Sequence, residues 1–220
     1  MKKTLLAAAA LAALAFAGSA SATTQLAGGT LSYNIGVTND YVFRGLSQTD
    51  GDAALQGGVD YSRGLFYVGT WASNVSFADH ELDLYAGVKP TLGKAAFDFG
   101  VIHYDYNDKA FNTTEVKAAV SYPVYKGSVG AAFYDDVDYG KYYYYEVNGS
   151  YPLTGKLSVS GALGQQTVLG DSYTTGNIGL TYAITPVFSI DARYSDTNFP
   201  ETDLYKNAKP RLAVTLKAAF

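Results

Sequence analysis

The sequence has no cysteine and only two histidines among 220 residues, and beyond residue 22 it has no long hydrophobic run. Without cysteine there are no disulfides to hold together a small exported scaffold. A membrane helix needs about 18 or more consecutive apolar residues, so any membrane span after residue 22 must be a β-strand. Acidic residues outnumber basic ones, 20 to 16, which argues against a nucleic-acid partner.

The first 22 residues have the pattern of a secretory signal peptide. Two lysines precede an apolar run from Leu5 to Ala17, which is too short to span a bilayer as a helix. The small residues that end at Ala22 predict cleavage before Thr23. We therefore expect residues 1–22 to be a signal peptide and residues 23–220 to be a single exported domain.

The last ten residues alternate strictly between apolar and polar side chains. The apolar set is Leu212, Val214, Leu216, Ala218 and Phe220, and the polar set is Arg211, Thr215 and Lys217. A period of two indicates a β-strand with one apolar face and one polar face. A closing strand of this kind, with a terminal aromatic on its apolar face, is typical of bacterial outer-membrane barrels.

Turn residues divide the rest of the chain into regular segments. Short connectors contain Pro90, Pro123, Pro152 and Pro186, and longer polar segments lie between them. The longer segments are 46–52, 73–80, 107–112, 135–141, 165–172 and 195–209. The strands predicted between these connectors are 30–44, 53–62, 64–73, 81–89, 95–106, 113–122, 128–134, 142–151, 157–164, 173–182, 187–195 and 210–220.

Twelve such strands predict an all-β fold, an antiparallel transmembrane β-barrel with short periplasmic turns and longer extracellular loops. A closed barrel is the only β-structure that leaves no unpaired edge in lipid. Two segments do not alternate cleanly. Residues 64–73 are apolar on both faces, and in 95–106 the apolar set runs into His103. Either the membrane ends by His103, or a bulge turns Ile102, Tyr104 and Tyr106 outward.

Aromatic residues supply a separate indication of membrane insertion. Tyr122, Tyr151 and Tyr182 each lie on the apolar face of a predicted strand, directly before a short turn, and Phe220 belongs to the same rim. This is the position of an interfacial aromatic girdle. The alternative, a soluble barrel or sandwich, would turn the apolar faces inward and would gain nothing from tyrosines gathered at one rim.

The polar faces of the strands supply candidate pore-lining residues. They are Asp40, Asp60, Asp83, Asp98, Glu115, Glu146 and Asp191 among the acids, and Arg44, Lys89, Lys117, Arg193, Arg211 and Lys217 among the bases. Charges inside a barrel are tolerated beside water or beside each other. The set therefore predicts either a wet channel lining or a mutually paired plug.

Enzymatic and metal-binding interpretations have little support. A hydrolase would need a nucleophile near one of the two histidines, and His103 has no serine close by in sequence. His80 lies in a predicted external loop beside Asp79 and Glu81, where we expect a solvated residue rather than a metal ligand. The acidic groups 50–52 and 135–138 lack the ligand register of a helical calcium loop. We therefore predict no catalytic residues, no metal and no cofactor.

One part of the sequence resembles a known family. The stretch from Thr38 to Ser62, which includes Asp40, Arg44 and Asp60, is followed by residues 67–75. Together they resemble the N-terminal signature of the TorF family of candidate porins, a proteobacterial family also known as Gcw_chp. The resemblance implies an outer-membrane location and passage of solutes, but no substrate. Our hypothesis is that Arg44 pairs with Asp40, Asp60 or both and fixes the first loop at or inside the pore mouth.

These observations predict an outer-membrane channel for passive diffusion of small hydrophilic solutes or ions. The expected partners are outer-membrane lipid and lipopolysaccharide, those solutes, and the barrel-assembly machinery through the strand that ends in Phe220. The alternatives are a closed barrel with a structural or surface-binding role and a membrane-embedded lipid hydrolase.

Overall fold

The computed structural model describes residues 23–200 and 206–220, which form a closed antiparallel β-barrel of twelve strands. The strands are β1 Gly29–Thr38, β2 Ala54–Arg63, β3 Phe66–Val75, β4 Asp79–Val88, β5 Ala95–Tyr106, β6 Thr113–Val124, β7 Gly127–Asp136, β8 Tyr142–Pro152, β9 Leu157–Val168, β10 Asp171–Ala183, β11 Phe188–Thr197 and β12 Arg211–Ala219. The predicted fold is confirmed. The predicted signal peptide lies outside the described residues.

Each strand pairs with its neighbours in the chain, and β12 closes the barrel against β1. This last pairing aligns Thr38 with Thr215 and Asn34 with Ala219. The minor elements are the short strands Thr24–Leu26, Val42–Phe43, Leu46–Ser47 and Thr91–Leu92 and the 3₁₀ turns Lys109–Phe111 and Lys206–Ala208. In the described part of the chain, no helix is long and apolar enough to cross a membrane.

The outer surface of the barrel is apolar because the residues that point away from the lumen, every second one along each strand, are mostly apolar. In β12, Leu212 and Leu216 are exposed, whereas Arg211, Thr215 and Lys217 are partly buried on the inner face. The same alternation recurs in the other strands. An exposed apolar belt around a closed sheet is the surface of a transmembrane barrel.

The two strands that the sequence left ambiguous have regular geometry. In β3, Phe66 and Val68 point outward, and Tyr67 and Trp71 point into the barrel, where they are partly buried.

In β5, the pairing with both β4 and β6 continues without interruption. The proposed bulge is therefore wrong. Ile102, Tyr104 and Tyr106 are buried inside the barrel rather than turned toward lipid. They lie inside because the two tyrosine hydroxyls donate to carboxylates of the lumen.

The rim opposite the termini has fewer long loops than the sequence predicted. The predicted loops 73–80 and 165–172 are mostly strand, because β3 and β4 are joined by residues 76–78 and β9 and β10 by residues 169 and 170. Leu169 and Gly170 have φ values of 55° and 101°, as a two-residue hairpin turn requires. Polar residues at these strand ends continue the sheet beyond the apolar belt.

The first strand is also shorter than predicted, since β1 ends at Thr38 rather than at residue 44. Residues 39–53, which we call the lumen loop, leave the wall and form a small hairpin in which Val42 and Phe43 pair with Ser47 and Leu46. The Thr38 hydroxyl donates to the Asp40 carbonyl at 2.9 Å, which turns the chain at this point. Asp40 and Arg44 therefore belong to the loop and not to the wall.

Candidate functional site

The lumen loop crosses the interior of the barrel near the rim opposite the termini. Its residues contact strands on all sides. Tyr41 donates to Glu81 of β4, Asp40 binds Arg211 of β12, and Arg44 reaches Glu115 of β6. Gly45 packs against Thr175 of β10 and Thr197 of β11. Because these partners surround the lumen, the loop fills the outer part of the barrel.

Arg44 is the centre of this packing. Its guanidinium donates from Nη1 and Nη2 to the two oxygens of Glu115, at 2.8 and 2.9 Å, and from Nη1 to Gln166 Oε1 at 2.8 Å. Each side chain of the Arg44–Glu115 pair is only 2% exposed. Burial alone would lower the pKa of Arg44, but the Glu115 carboxylate raises that pKa above its ordinary value. The two parallel hydrogen bonds make the pair bidentate.

Aromatic rings enclose the same guanidinium. Its Cζ atom lies 4.3 Å from the ring centre of Tyr144, 4.7 Å from that of Phe43 and 5.1 Å from that of Tyr134. The Tyr104 hydroxyl donates to Glu115 Oε2 at 3.0 Å and orients the carboxylate. A desolvated cation over aromatic faces gains stabilisation in addition to its ion pair.

A second anchor holds the start of the lumen loop. Asp40 accepts from the Ser47 hydroxyl at 2.5 Å and from Arg211 Nη1 at 3.1 Å. The hypothesis that Arg44 pairs with Asp40 or Asp60 is therefore wrong. Asp60 instead accepts from the Tyr85 hydroxyl at 2.7 Å. The physical reason is that the loop projects Arg44 across the lumen, away from β1 and β2.

Two further acids lie beside the lumen loop on β4. Glu81 is fully buried and accepts from the hydroxyls of Tyr41 at 3.0 Å and Tyr106 at 2.6 Å. Asp83 is 1% exposed, and neither of its carboxylate oxygens has a hydrogen-bond partner in the described part of the chain. The predicted lining residue Asp83 is thus enclosed beneath the loop.

Toward the rim that holds the termini, the lining is ionic and only partly buried. Lys117 donates to Asp98 at 2.7 Å, and the Tyr67 hydroxyl donates to the same carboxylate at 2.7 Å. Lys89 lies in the turn after β4, where its Nζ atom is 4.4 Å from the Tyr67 ring centre. These residues place charge along the inner part of the lumen.

A second ionic group lies on the far wall. Arg193 binds Asp191 at 3.1 Å and also donates to Asn177 and Ser160, at 2.7 and 2.9 Å. Lys217 also faces inward, as does Glu146, which accepts from the Tyr144 hydroxyl at 2.9 Å. Glu146 therefore links this lining to the ring that covers Arg44.

The predicted girdle residues lie on the outer face at one rim. Tyr122, Tyr151, Tyr182 and Phe220 are all exposed. The backbone of Phe220 exchanges two hydrogen bonds with Tyr33 of β1, at 2.8 and 2.9 Å, so the last residue takes part in closing the barrel.

The two histidines lie away from the lumen. His80 is exposed at the start of β4, and His103 is on the outer face of β5, where Nδ1 is 3.0 Å from the Thr114 hydroxyl. Within residues 23–200 and 206–220, no group of His, Cys, Asp and Glu side chains has the geometry to hold a metal ion.

The sequence analysis missed several residues around Arg44. Tyr104 shares the face of Asp98 in β5, so strict alternation could have placed it inside. Glu81 shares the face of Asp83 and could have been found in the same way. Gln166 gave no signal, because it fell within the predicted loop 165–172 and its partner lies 122 positions away.

Gly45 supplies a test of the seating of the lumen loop. It has a φ of 82°, and a Cβ added there would lie 2.5 Å from Thr175 Oγ1 and 2.8 Å from Thr197 Cβ. We expect Gly45→Ala to weaken the seated state by about 1–3 kcal/mol, so that trypsin cleaves the folded barrel after Arg44. Gly64→Ala is the control, because Gly64 has a φ of 61° with nothing nearby. Equal resistance of wild type and Gly45→Ala would contradict this prediction.

The fold and the ionic lumen define the chain as a twelve-stranded transmembrane β-barrel. The family model described as a bacterial protein of unknown function, Gcw_chp, matches residues 22–220, and the chain belongs to this family. No curated protein matches the chain.

Solved structures of porins share the fold. The KdgM porin in complex with disordered oligogalacturonate has a TM-score of 0.64 at 11% identity, and the match covers 86% of this chain and 98% of that chain. The NanC porin has a TM-score of 0.61 at 10% identity, with the same coverage of both chains. At these identities the likeness concerns the fold.

Proposed function

We propose that this protein is an outer-membrane channel for passive diffusion of small hydrophilic solutes or ions. The observation that supports it best is the ionic, partly exposed lining of the inner lumen, formed by pairs such as Asp98 with Lys117 and Asp191 with Arg193. An ion-lined interior suits water and polar solutes, and it does not suit an apolar ligand. The porin fold agrees with this function.

In this proposal the lumen loop is a gate. Its contacts with the wall are hydrogen bonds, ion pairs and ring contacts, so the loop can leave the lumen without breaking the barrel sheet. With the loop seated, the outer lumen is closed by buried side chains, and conduction requires that it move. The pore is therefore expected to conduct in intermittent openings.

Bilayer recording of the purified, refolded protein tests the proposal. We expect unitary currents with a mild cation preference, because acids outnumber bases along the lumen and at the mouth. A heat-modifiable band on a gel confirms that the barrel is folded. The channel function would be contradicted if the folded protein carried no current and the variants described below carried none under the same conditions. A clear anion preference would contradict the predicted selectivity.

A second candidate, a closed structural or surface-binding barrel, is favoured by one observation. The packing around Arg44 and Glu115 is as dry as a protein core, since both side chains are 2% exposed. In that case the lumen loop would be a permanent part of the core. Its release by substitution would then unfold the barrel rather than produce current.

We also propose the cellular setting. The exposed apolar belt and the rim aromatics Tyr122, Tyr151, Tyr182 and Phe220 suit contact with outer-membrane lipid and lipopolysaccharide. The strand that ends in Phe220 suits recognition by the barrel-assembly machinery. The resemblance to the TorF porins also belongs to this proposal. So does the absence of catalysis, which is supported by the position of His103 on the outer face of β5, with the Thr114 hydroxyl as its neighbour.

A further inference from the structure

The groups that hold the Arg44 guanidinium belong almost entirely to the barrel wall. Glu115, Gln166, Tyr104, Tyr134 and Tyr144 come from five consecutive strands, β5 to β9, and only Phe43 comes from the lumen loop. The wall residues, which we call the cage, are therefore in place whether or not the loop is seated. Four of them carry hydrogen bonds or ion pairs to one another or to neighbouring wall residues.

The cage matches the chemistry of a guanidinium ion. A carboxylate accepts both arms of the planar fork, an amide oxygen accepts a third N–H, and two rings cover the faces. An ammonium ion could not use the bidentate geometry or stack on the rings in the same way. The shape of the site thus favours a guanidinium over other monovalent cations.

Arg44 is an imperfect occupant of this cage. Its Nε atom is buried and has no hydrogen-bond acceptor within the described residues. A buried donor without an acceptor is destabilising, and a free guanidinium compound can orient all its N–H groups independently of a loop. The internal ligand is therefore open to competition.

We propose that the cage is a binding site for guanidinium cations, which Arg44 occupies as an internal ligand when the lumen loop is seated. Solutes with an arginine-like head group compete with Arg44 for this site. That such a solute also opens the pore rests on the proposed channel function, whereas the site itself does not.

The single tryptophan provides a readout that is independent of conduction. Trp71 of β3 packs edge-on against Tyr41 of the lumen loop, with ring centres 5.5 Å apart. Its fluorescence therefore reports whether the loop is seated. A channel that never conducts would still give this signal.

The test is chemical rescue of the Arg44→Ala variant. With the arginine removed, Glu115 has no cation, and we expect the Trp71 emission to differ from wild type. Millimolar guanidinium chloride should restore the wild-type emission in a saturable way, while sodium chloride at the same ionic strength should not. Adding Glu115→Gln to the variant should weaken the response at least about tenfold, because the carboxylate accepts both arms of the guanidinium fork.

A folded Arg44→Ala variant that does not respond to guanidinium, or that responds equally with Glu115→Gln, would overturn the proposal. If Arg44→Ala does not fold, calorimetry replaces fluorescence. It is done on a loop-excised protein in which a short Gly-Ser turn replaces residues 40–52, so that the cage is empty. Binding that Glu115→Gln abolishes supports the site, and no binding overturns it. Rescue of the emission in an Arg44→Ala variant that carries no current before guanidinium is added would keep the site and reject the channel.

Discussion

Replacing Arg44 with alanine should convert a mostly closed barrel into a mostly open one. The substitution leaves Glu115 buried without its cation, and breaking one side of a buried ion pair costs roughly 3–5 kcal/mol. In the intact protein that cost falls on the seated state of the lumen loop and not on the wall. A free-energy cost of this size corresponds to an increase of about 10²–10³-fold or more in the ratio of open to closed channels. The ratio is measured as the open probability in planar bilayers.

Lys109→Ala is the control for this experiment. Lys109 forms an ion pair with Asp105 at 2.6 Å, but its side chain is 68% exposed on a loop outside the lumen. Exposed pairs contribute little, so its removal should leave the open probability unchanged. If Arg44→Ala folds and gates like wild type, the lumen loop is not held by the Arg44–Glu115 pair.

The wall of the barrel could be predicted from the sequence because it depends on local alternation. In the last strand, alternate residues from Leu212 to Phe220 are apolar, and the residues of the other face include Arg211, Thr215 and Lys217. This alternation predicts an outward and an inward face without reference to any other strand. Alternation also located Lys117, Asp191 and Arg193 on the inner side, as the structure has them. The strand ends that extend beyond the apolar belt are polar, and these were wrongly predicted to be loops. Gln165, which lies in β9, is an example.

The interior of the barrel could not be predicted in the same way, because its contacts connect distant segments. Arg44 meets Glu115 across 71 positions and Gln166 across 122. The sequence indicated that Arg44 is special but pointed to acids near it in the chain, Asp40 and Asp60. Only the path of the lumen loop across the barrel decides which acid the guanidinium reaches.

The two halves of the lumen therefore have different physical roles. The inner half, with Asp98, Lys117, Asp191 and Arg193 partly exposed, is an ionic lining that can remain hydrated. The outer half is a closed core built on Arg44. A barrel with this division can switch between states by moving one loop, since residues 40–52 take no part in the strand pairing of the wall.

Excision of the lumen loop is the strongest test of that division. Thr38 of β1 and Ala54 of β2 are direct partners in the sheet, so the gap left by removing residues 40–52 can be closed by a short turn without changing the strand register. The wall would keep all twelve strands. We expect a folded, heat-modifiable barrel whose current is continuous, with a mean conductance at least that of Arg44→Ala.

The excised barrel also separates the two candidate functions, because it removes the core that favours a closed barrel. The acids Glu81, Asp83 and Glu115 would then face water instead of the loop, so they no longer need partners and the wall is not destabilised by them. Because these acids then line the mouth continuously, the excised barrel should be cation-selective, measured as reversal potential in a salt gradient. A folded excised barrel that carries no current would show that the wall itself is closed, and the channel proposal would fail.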